Sequence, residues 1–252
     1  VTEAAPAERI DVVVPAHDEE ELIGACLTAL ARARNRLRAE HPQVEVGVVV
    51  VLDTCTDGTA AVVARASRDA TVVEIAERNV GAARRAGVEA ATAADRAAGT
   101  AQRSTAQRSI AQRWIATTDA DSSVAPDWLL VQLDALRSGV DVLLGTVRPV
   151  MSDLDESGRR RWLETHPPGH LPGNVHGANL GVRLDAYARL GGFAALAEHE
   201  DVDLVARARR AGYDVQATLE APVITSGRRV GRTPGGYAAF LADTYGPRPA
   251  TA

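Results

Sequence analysis

Lysine is absent from this 252-residue chain; all 28 basic residues are arginine. That excludes Schiff-base chemistry on a lysine amine and a phosphate loop built around a lysine. Any permanent positive charge offered to a phosphate has to be a guanidinium. Cysteine is nearly absent as well. Cys26 and Cys55 make no disulfide framework, and neither has the Cys-x-x-Cys neighbour of a zinc site. Two reduced thiols in a cytoplasmic protein are the expectation. No apolar run approaches the roughly 20 residues that span a bilayer, and the first residues lack an apolar signal core. A net charge of −5 with both signs interspersed excludes binding by neutralising a nucleic-acid backbone.

The length suits one large domain with ample chain for a core. Alanine is the commonest residue, which favours helices. Short β-branched runs, at Ile10–Val14, Val44–Leu52, Thr71–Ile75 and Trp114–Thr118, read as buried strands. Between them lie helical patterns: one after Asp18, which can cap it, then Asp57–Arg68 and Val80–Ala98. A further helix starts near Pro126. The second half is less regular, with strands expected at Val140–Val147, Ala178–Val182 and Tyr213–Leu219. Helices are expected at Ser157–Glu164, from Asp185 and at Asp201–Ala211. Strands alternating with helices imply an α/β fold with a mostly parallel central sheet. The Ala-Gln-Arg triplet that repeats every five residues from Ala101 fits a solvated connector rather than a repeat architecture.

In such sheets ligands sit beyond the carboxyl ends of the strands. Three polar clusters follow strand ends here: His17-Asp18-Glu19, Asp53-Thr54 and Asp119-Ala120-Asp121. They should converge on one cleft. Two carboxylates one residue apart supply the hard oxygen ligands that suit Mg²⁺ or Mn²⁺ beside substrate phosphates.

Six segments in order then resemble the family 2 glycosyltransferases of the GT-A fold. They are Val12–Glu20, Val51–Thr59, Asn79–Gly87, Asp119–Asp121, His176–Arg183 with Gly191-Gly192-Phe193, and Glu200–Leu204 with Arg207 and Ala211-Gly212-Tyr213. The departures are Asp18 and Arg85 where Asn is usual, together with Leu52 and Cys55. The resemblance implies a single GT-A domain with a Rossmann-like sheet flanked by helices. Residues 9–121 would form the nucleotide-sugar half and residues 122–252 the acceptor-binding and catalytic half.

It further implies sugar transfer from a nucleotide-diphosphate donor, UDP by default, to an acceptor hydroxyl or amine with inversion. Asp121, helped by Asp119, would hold Mn²⁺ or Mg²⁺. Pro15, His17, Glu19, Ala120 and Asn179 would belong to the donor site. Asp53 would meet the base, and Arg84, Arg228 and Arg229 the diphosphate. Asp201 is the expected general base with Glu200 in reserve, and His176 the expected acceptor contact. The acceptor itself, small molecule, glycan or lipid-linked, is left open, and a homodimer is compatible with the sequence. The segments Thr165–Val175 and Gly231–Tyr245 are expected to shape the acceptor site.

Duller readings stand beside these: Asp53 as a helix cap, Glu200 and Asp201 as helix N-terminal charges, Arg228-Arg229 as a surface pair, and the histidines as loop residues. A retaining transferase, a sugar-phosphate nucleotidyltransferase and a non-catalytic nucleotide-sugar binder also stay open.

Overall fold

Valine and isoleucine runs, which suit a pleated surface covered on both faces, set the framework. The computed structural model describes residues 8–93, 112–169, 171, 173–231 and 235–246. The Ala-Gln-Arg repeat as far as residue 111 and the expected end of the third helix, 94–98, lie outside them. The first half contains β1 (Arg9–Ala16), α1 (Ile23–Glu40), β2 (Glu45–Asp53), α2 (Thr59–Ala66), β3 (Thr71–Ile75), α3 (Val80–Ala91), β4 (Arg113–Thr117) and β5 (Ser122–Ser123). The second half adds α4 (Trp128–Arg137), β6 (Val142–Pro149), α5 (Glu156–Thr165), β7 (Leu180–Arg183), α6 (Leu184–Arg189), α7 (Glu200–Arg210), β8 (Val215–Thr225) and α8 (Tyr237–Tyr245). Short 3-10 turns occur at Met151–Asp153 and Gly177–Asn179.

The strands form one eight-stranded sheet in the order β3-β2-β1-β4-β7-β6-β8-β5. β3, β2, β1 and β4 run parallel; β7 is antiparallel to β4 and β6, and β8 is parallel to β6. Side chains alternate across the sheet with period two. Ile10, Val12 and Val14 therefore join a core with Leu27, Leu30 and Leu37 of α1 and Leu133 of α4. Val13 and Ile115 face the other way, toward Val88 of α3, Leu184 of α6 and Leu204 of α7.

Register decides where the strand ends open. Ala16 lies beside Leu52, and Val13 beside Thr117, so β1, β2 and β4 finish along one edge. Antiparallel β7 begins at that same edge, because Leu180 pairs with Thr117. The β8 end joins it through the pairing of Thr225 with Ser122.

Two local expectations are corrected, and the C-terminal segment gains a defined element. Asp18 does not cap α1, whose N-cap is Leu22 without a side-chain bond; Asp18, at φ 51°, accepts the amides of Thr56 and Asp57 instead. β8 runs past Leu219 to Thr225. A register shift against β6 between Gly145 and Val147, with Ala221 at φ 47°, admits Pro222 into the strand. The segment ending at Tyr245 forms a helix, α8, packed on α5 through Leu154, Trp162, Leu241 and Tyr245.

Arg113, last residue of the Ala-Gln-Arg repeat, is no solvated charge. It is buried at the start of β4, donating to buried Asp11 and to the Ala91 carbonyl, while Arg9 Nε also donates to Asp11 at 2.9 Å. Removing one partner of a buried pair leaves the other charge uncompensated. Arg113→Met is expected to cost about 3 kcal/mol, the lower end of that range because Arg9 remains; urea unfolding checks it.

Candidate active site

The loops at the open edge enclose a cleft of about 620 Å³, within the usual range for a ligand pocket. Pro15, His17, Glu19, Asp53, Arg84, Asp119, Ala120, Asp121, His176, Glu200, Asp201 and Arg228 all line it, as expected. Arg229 and Asn179 are absent from its wall.

Asp53 ends β2 and is 3% exposed. One carboxylate oxygen accepts from the amides of Glu77 and Arg78, both at 2.8 Å, and from Thr54 Oγ1; the other accepts from the Asn79 amide at 2.7 Å. Burial opposes its ionisation, but the three amides outweigh burial and hold the carboxyl below its ordinary value. Both oxygens therefore serve the loop that leads into α3. Asn79 completes that entry by capping α3, accepting from the Ala82 amide at 2.9 Å. His17 Nδ1 donates to the Asp53 carbonyl at 2.6 Å, which orients the ring at the cleft.

Arg84, expected to face a diphosphate, is instead buried at 3% exposure between carboxylates. One terminal nitrogen reaches Asp119 at 2.5 Å and the other Glu200. The fit needs Gly177, where a Cβ would stand 2.5 Å from the guanidinium. Glu200 is therefore spent on Arg84.

Asp201 begins the first turn of α7. Its Oδ2 accepts from the Gly177 amide at 2.5 Å and its Oδ1 from its own neighbour Val202 at 2.7 Å. Each oxygen accepts a single bond there, so lone pairs remain for a ligand proton. His176 lies half-buried beside it with its ring edge-on to Tyr237, centroids 5.8 Å apart. Burial outweighs the pull of Asp201 and Asp119 and lowers its pKa, favouring the neutral imidazole.

Asp121 is the most perturbed of the acids. Burial and the like charges of Asp119 and Glu19 push its carboxyl up to about 6, although Arg228 works against the rise. Arg228 donates to Glu19 at 2.9 and 2.5 Å and lies 2.9 Å from Asp121. Thr225 Oγ1 and Ser122 Oγ also donate to Asp121. Arg229 turns away to Asp155, which caps α5. Asn179 lies behind the wall: its Oδ1 accepts from Trp128 Nε1 at 2.8 Å and its Nδ2 donates to the Thr146 carbonyl. It fixes backbone rather than ligand, with Gly145 leaving room for its amide.

A hard oxygen donor set fits a divalent cation. Asp119 and Asp121 supply such oxygens, each already facing one guanidinium, Arg84 and Arg228 respectively. Another group, Asp18, Cys55 and Asp57, brings three ligand atoms within 4.8 Å. Its carboxylates are already accepting backbone amides of Thr56, Glu20 and Thr59. Both thiols are free and donate to carbonyls: Cys26 to Asp119, Cys55 to Ala16.

Several cleft residues carried no sequence signal of their own: Arg78, Glu198, His199, Tyr237 and Phe240. His199 adjoins the Glu200-Asp201 motif, and the two rings lie in the C-terminal segment expected to shape the acceptor site. From the proline-rich segment, Asn174 and Val175 reach the wall.

The profile of glycosyl transferase family 2 matches residues 11–196. The chain belongs to that family. None of the curated protein sequences matches it. Among solved structures it is similar in fold to Staphylococcus aureus TarS 1–349 in complex with UDP-GlcNAc: 14% identity, TM-score 0.61, covering 91% of this chain and 61% of that one. The mannosyltransferase PcManGT from Pyrobaculum calidifontis, in complex with GDP-Man and Mn²⁺, gives 19% identity and TM-score 0.58, covering 92% and 61%. Glucosyl-3-phosphoglycerate synthase from Mycobacterium tuberculosis, with Mn²⁺, UDP and glucosyl-3-phosphoglycerate, gives 17% identity and TM-score 0.54, covering 96% and 82%. The chain thus spans 61% of the TarS and mannosyltransferase chains. Among the described residues of this family member, no helix is long and apolar enough to cross a membrane.

The raised Asp121 carboxyl has a sign consequence. The folded state holds the proton more tightly than the unfolded chain, so the ionised form subtracts stability above pH about 6, and this loss fades as pH falls toward the ordinary 3.8. In metal-free buffer, Asp121→Asn is expected to raise Tm at about pH 8 and to change it little near pH 4. Scanning fluorimetry at both pH values checks this.

Proposed function

We propose that the chain transfers a sugar from a nucleoside-diphosphate sugar to an acceptor hydroxyl or amine, with a divalent cation and inversion at the anomeric carbon. One observation carries the reading: the Asp119/Asp121 pair and an Asp201 with lone pairs to spare face the same cleft at the strand ends. The family membership and the UDP- and GDP-linked donors named for the structural relatives support it. They leave the base open between uracil and guanine.

Asp119 and Asp121 would hold the cation, Mn²⁺ or Mg²⁺. When bound, it supplies Lewis-acid stabilisation of the negative charge that builds on the departing diphosphate. Asp201 accepts the acceptor's proton as its oxygen or nitrogen bonds to the anomeric carbon, while the sugar–phosphate bond breaks and its electron pair leaves with the diphosphate. Gly177 and Val202 orient that carboxylate through their amides, so little reorganisation is needed. Glu200, Arg84 and Asp53 act as positioning residues: the first two lock α7 to the Asp119 loop, and the third shapes the 77–79 loop on the donor side. Residues 9–121 supply most of the donor side, joined by Thr225 and Arg228 from the second half. Tyr237, Phe240 and His176 would border the acceptor.

A thermal-shift panel of UDP and GDP, each with and without Mn²⁺, tests the donor reading, because a ligand of the native state raises apparent stability by mass action. One nucleotide should raise Tm in a Mn²⁺-dependent way. Asp201→Asn should lower kcat by about 10²-fold or more while nucleotide affinity is retained. Full turnover by Asp201→Asn would remove Asp201 from the base role, and absence of any nucleotide shift would overturn the donor reading.

A further inference from the structure

Arg228 stands where a cation is wanted. Its NH2 lies 2.5 Å from Glu19 Oε1 and 2.9 Å from Asp121 Oδ2, while NH1 donates to Glu19 Oε2 at 2.9 Å. Glu19 is buried, and Asp121 nearly so. Two carboxylates from separate loops are thus bridged by one guanidinium fork, a geometry an arginine suits and a point charge does not.

A divalent ion held by Asp121 would compete with this guanidinium for the same carboxylate. Two cations on one carboxylate repel each other as like charges at close range. The backbone beneath Arg228 is held at Ser226, whose amide donates to the Asp121 carbonyl, and at Gly227, whose amide donates to Asp153. Beyond it the chain leaves the surface, with Val230 85% exposed. The backbone at Arg228 is thus anchored, and an exchange would be made by its side chain, which has to release Glu19 and Asp121 to move.

We propose that Arg228 is the resident counter-cation of the Glu19–Asp121 pair in the donor-free protein, exchanged for the divalent ion and then turned onto the diphosphate. The inference rests on Asp119 and Asp121 as the metal ligands. It gives Arg228 opposite effects on two binding steps: it competes with the metal alone and assists the metal-loaded nucleotide. A residue that only supported the fold would move both affinities the same way.

The test is calorimetric titration of the metal-free chain with Mn²⁺ alone, then with UDP and with GDP at saturating Mn²⁺. Arg228→Gln is expected to bind Mn²⁺ alone about tenfold more tightly than the wild type, and the accepted nucleotide about tenfold more weakly. Arg228→Lys keeps the charge without the fork and should lie between the two in both titrations; it serves as the second variant should the Gln form not fold. Equal or weaker Mn²⁺ binding by both variants overturns the exchange while leaving the metal site intact. A wild type that binds Mn²⁺ neither alone nor with either nucleotide overturns the metal assignment and the exchange with it.

Discussion

The guanidinium of Arg84 is the contact on which the cleft depends. It belongs to α3 in the first half of the sheet, yet it reaches Asp119 after β4 and Glu200 at the start of α7. One buried cation thereby ties the loop after β4 to the start of α7 across the cleft. Its attraction for two carboxylates has to offset the desolvation of all three charges, and its Nε remains without a partner. Removing it would leave Glu200, itself 2% exposed, as an uncompensated buried charge. The direct neighbours follow from this contact: Gly177 has no side chain because the guanidinium fills that space, and the Gly177 amide is what orients Asp201. The residue assigned to proton transfer is thus positioned through the residue that neutralises its neighbour.

Backbone strain is concentrated around the same cavity. Asp18, Thr54, Arg78 and His199 all have positive φ without being glycine, and each adjoins a cleft loop. Such conformations cost about 1–3 kcal/mol apiece and persist only where the surroundings over-determine them. For Arg78 the constraint is the Asp53 carboxylate that accepts its amide, and for Thr54 the Ile75 carbonyl. Asp53 takes the amides of Glu77, Arg78 and Asn79, and Asp18 those of Thr56 and Asp57. These acids hold the loops that line the cleft.

That arrangement explains what could be read in the sequence. Strand runs such as Ile10–Val14 and Thr71–Ile75 were legible because burial on both faces demands continuous β-branched residues. The clusters after β1, β2 and β4 were legible because parallel strands end at a common edge. Which acid is taken up by backbone amides and which keeps lone pairs facing the cleft was not. Asp53, Glu200 and Arg84 carry the same residue types as Asp121, Asp201 and Arg228, and only the fold shows which carboxylates are already saturated by amides or guanidinium groups. Arg113 was hidden for a related reason: it closes a run of polar triplets, and its buried partner Asp11 lies 102 positions away. The extension of β8 was hidden because Pro222 reads as a stop, whereas a bulge against β6 absorbs it.

The absence of lysine acquires a physical meaning from these contacts. An ammonium meets carboxylates as a point charge and cannot span two of them with parallel planar donors. A guanidinium stays charged at any accessible pH and offers two parallel donors. Arg84 and Arg228 each bridge carboxylates from different loops, and Arg113 is held in the core by Asp11, itself shared with Arg9. Lysine at Arg84 would retain a charge but lose the span between Asp119 and Glu200, so the walls would no longer be set by one rigid fork. The cleft gathers the carboxylates of Glu19, Asp119, Asp121 and Glu200, and planar, permanently charged arginines hold them in register.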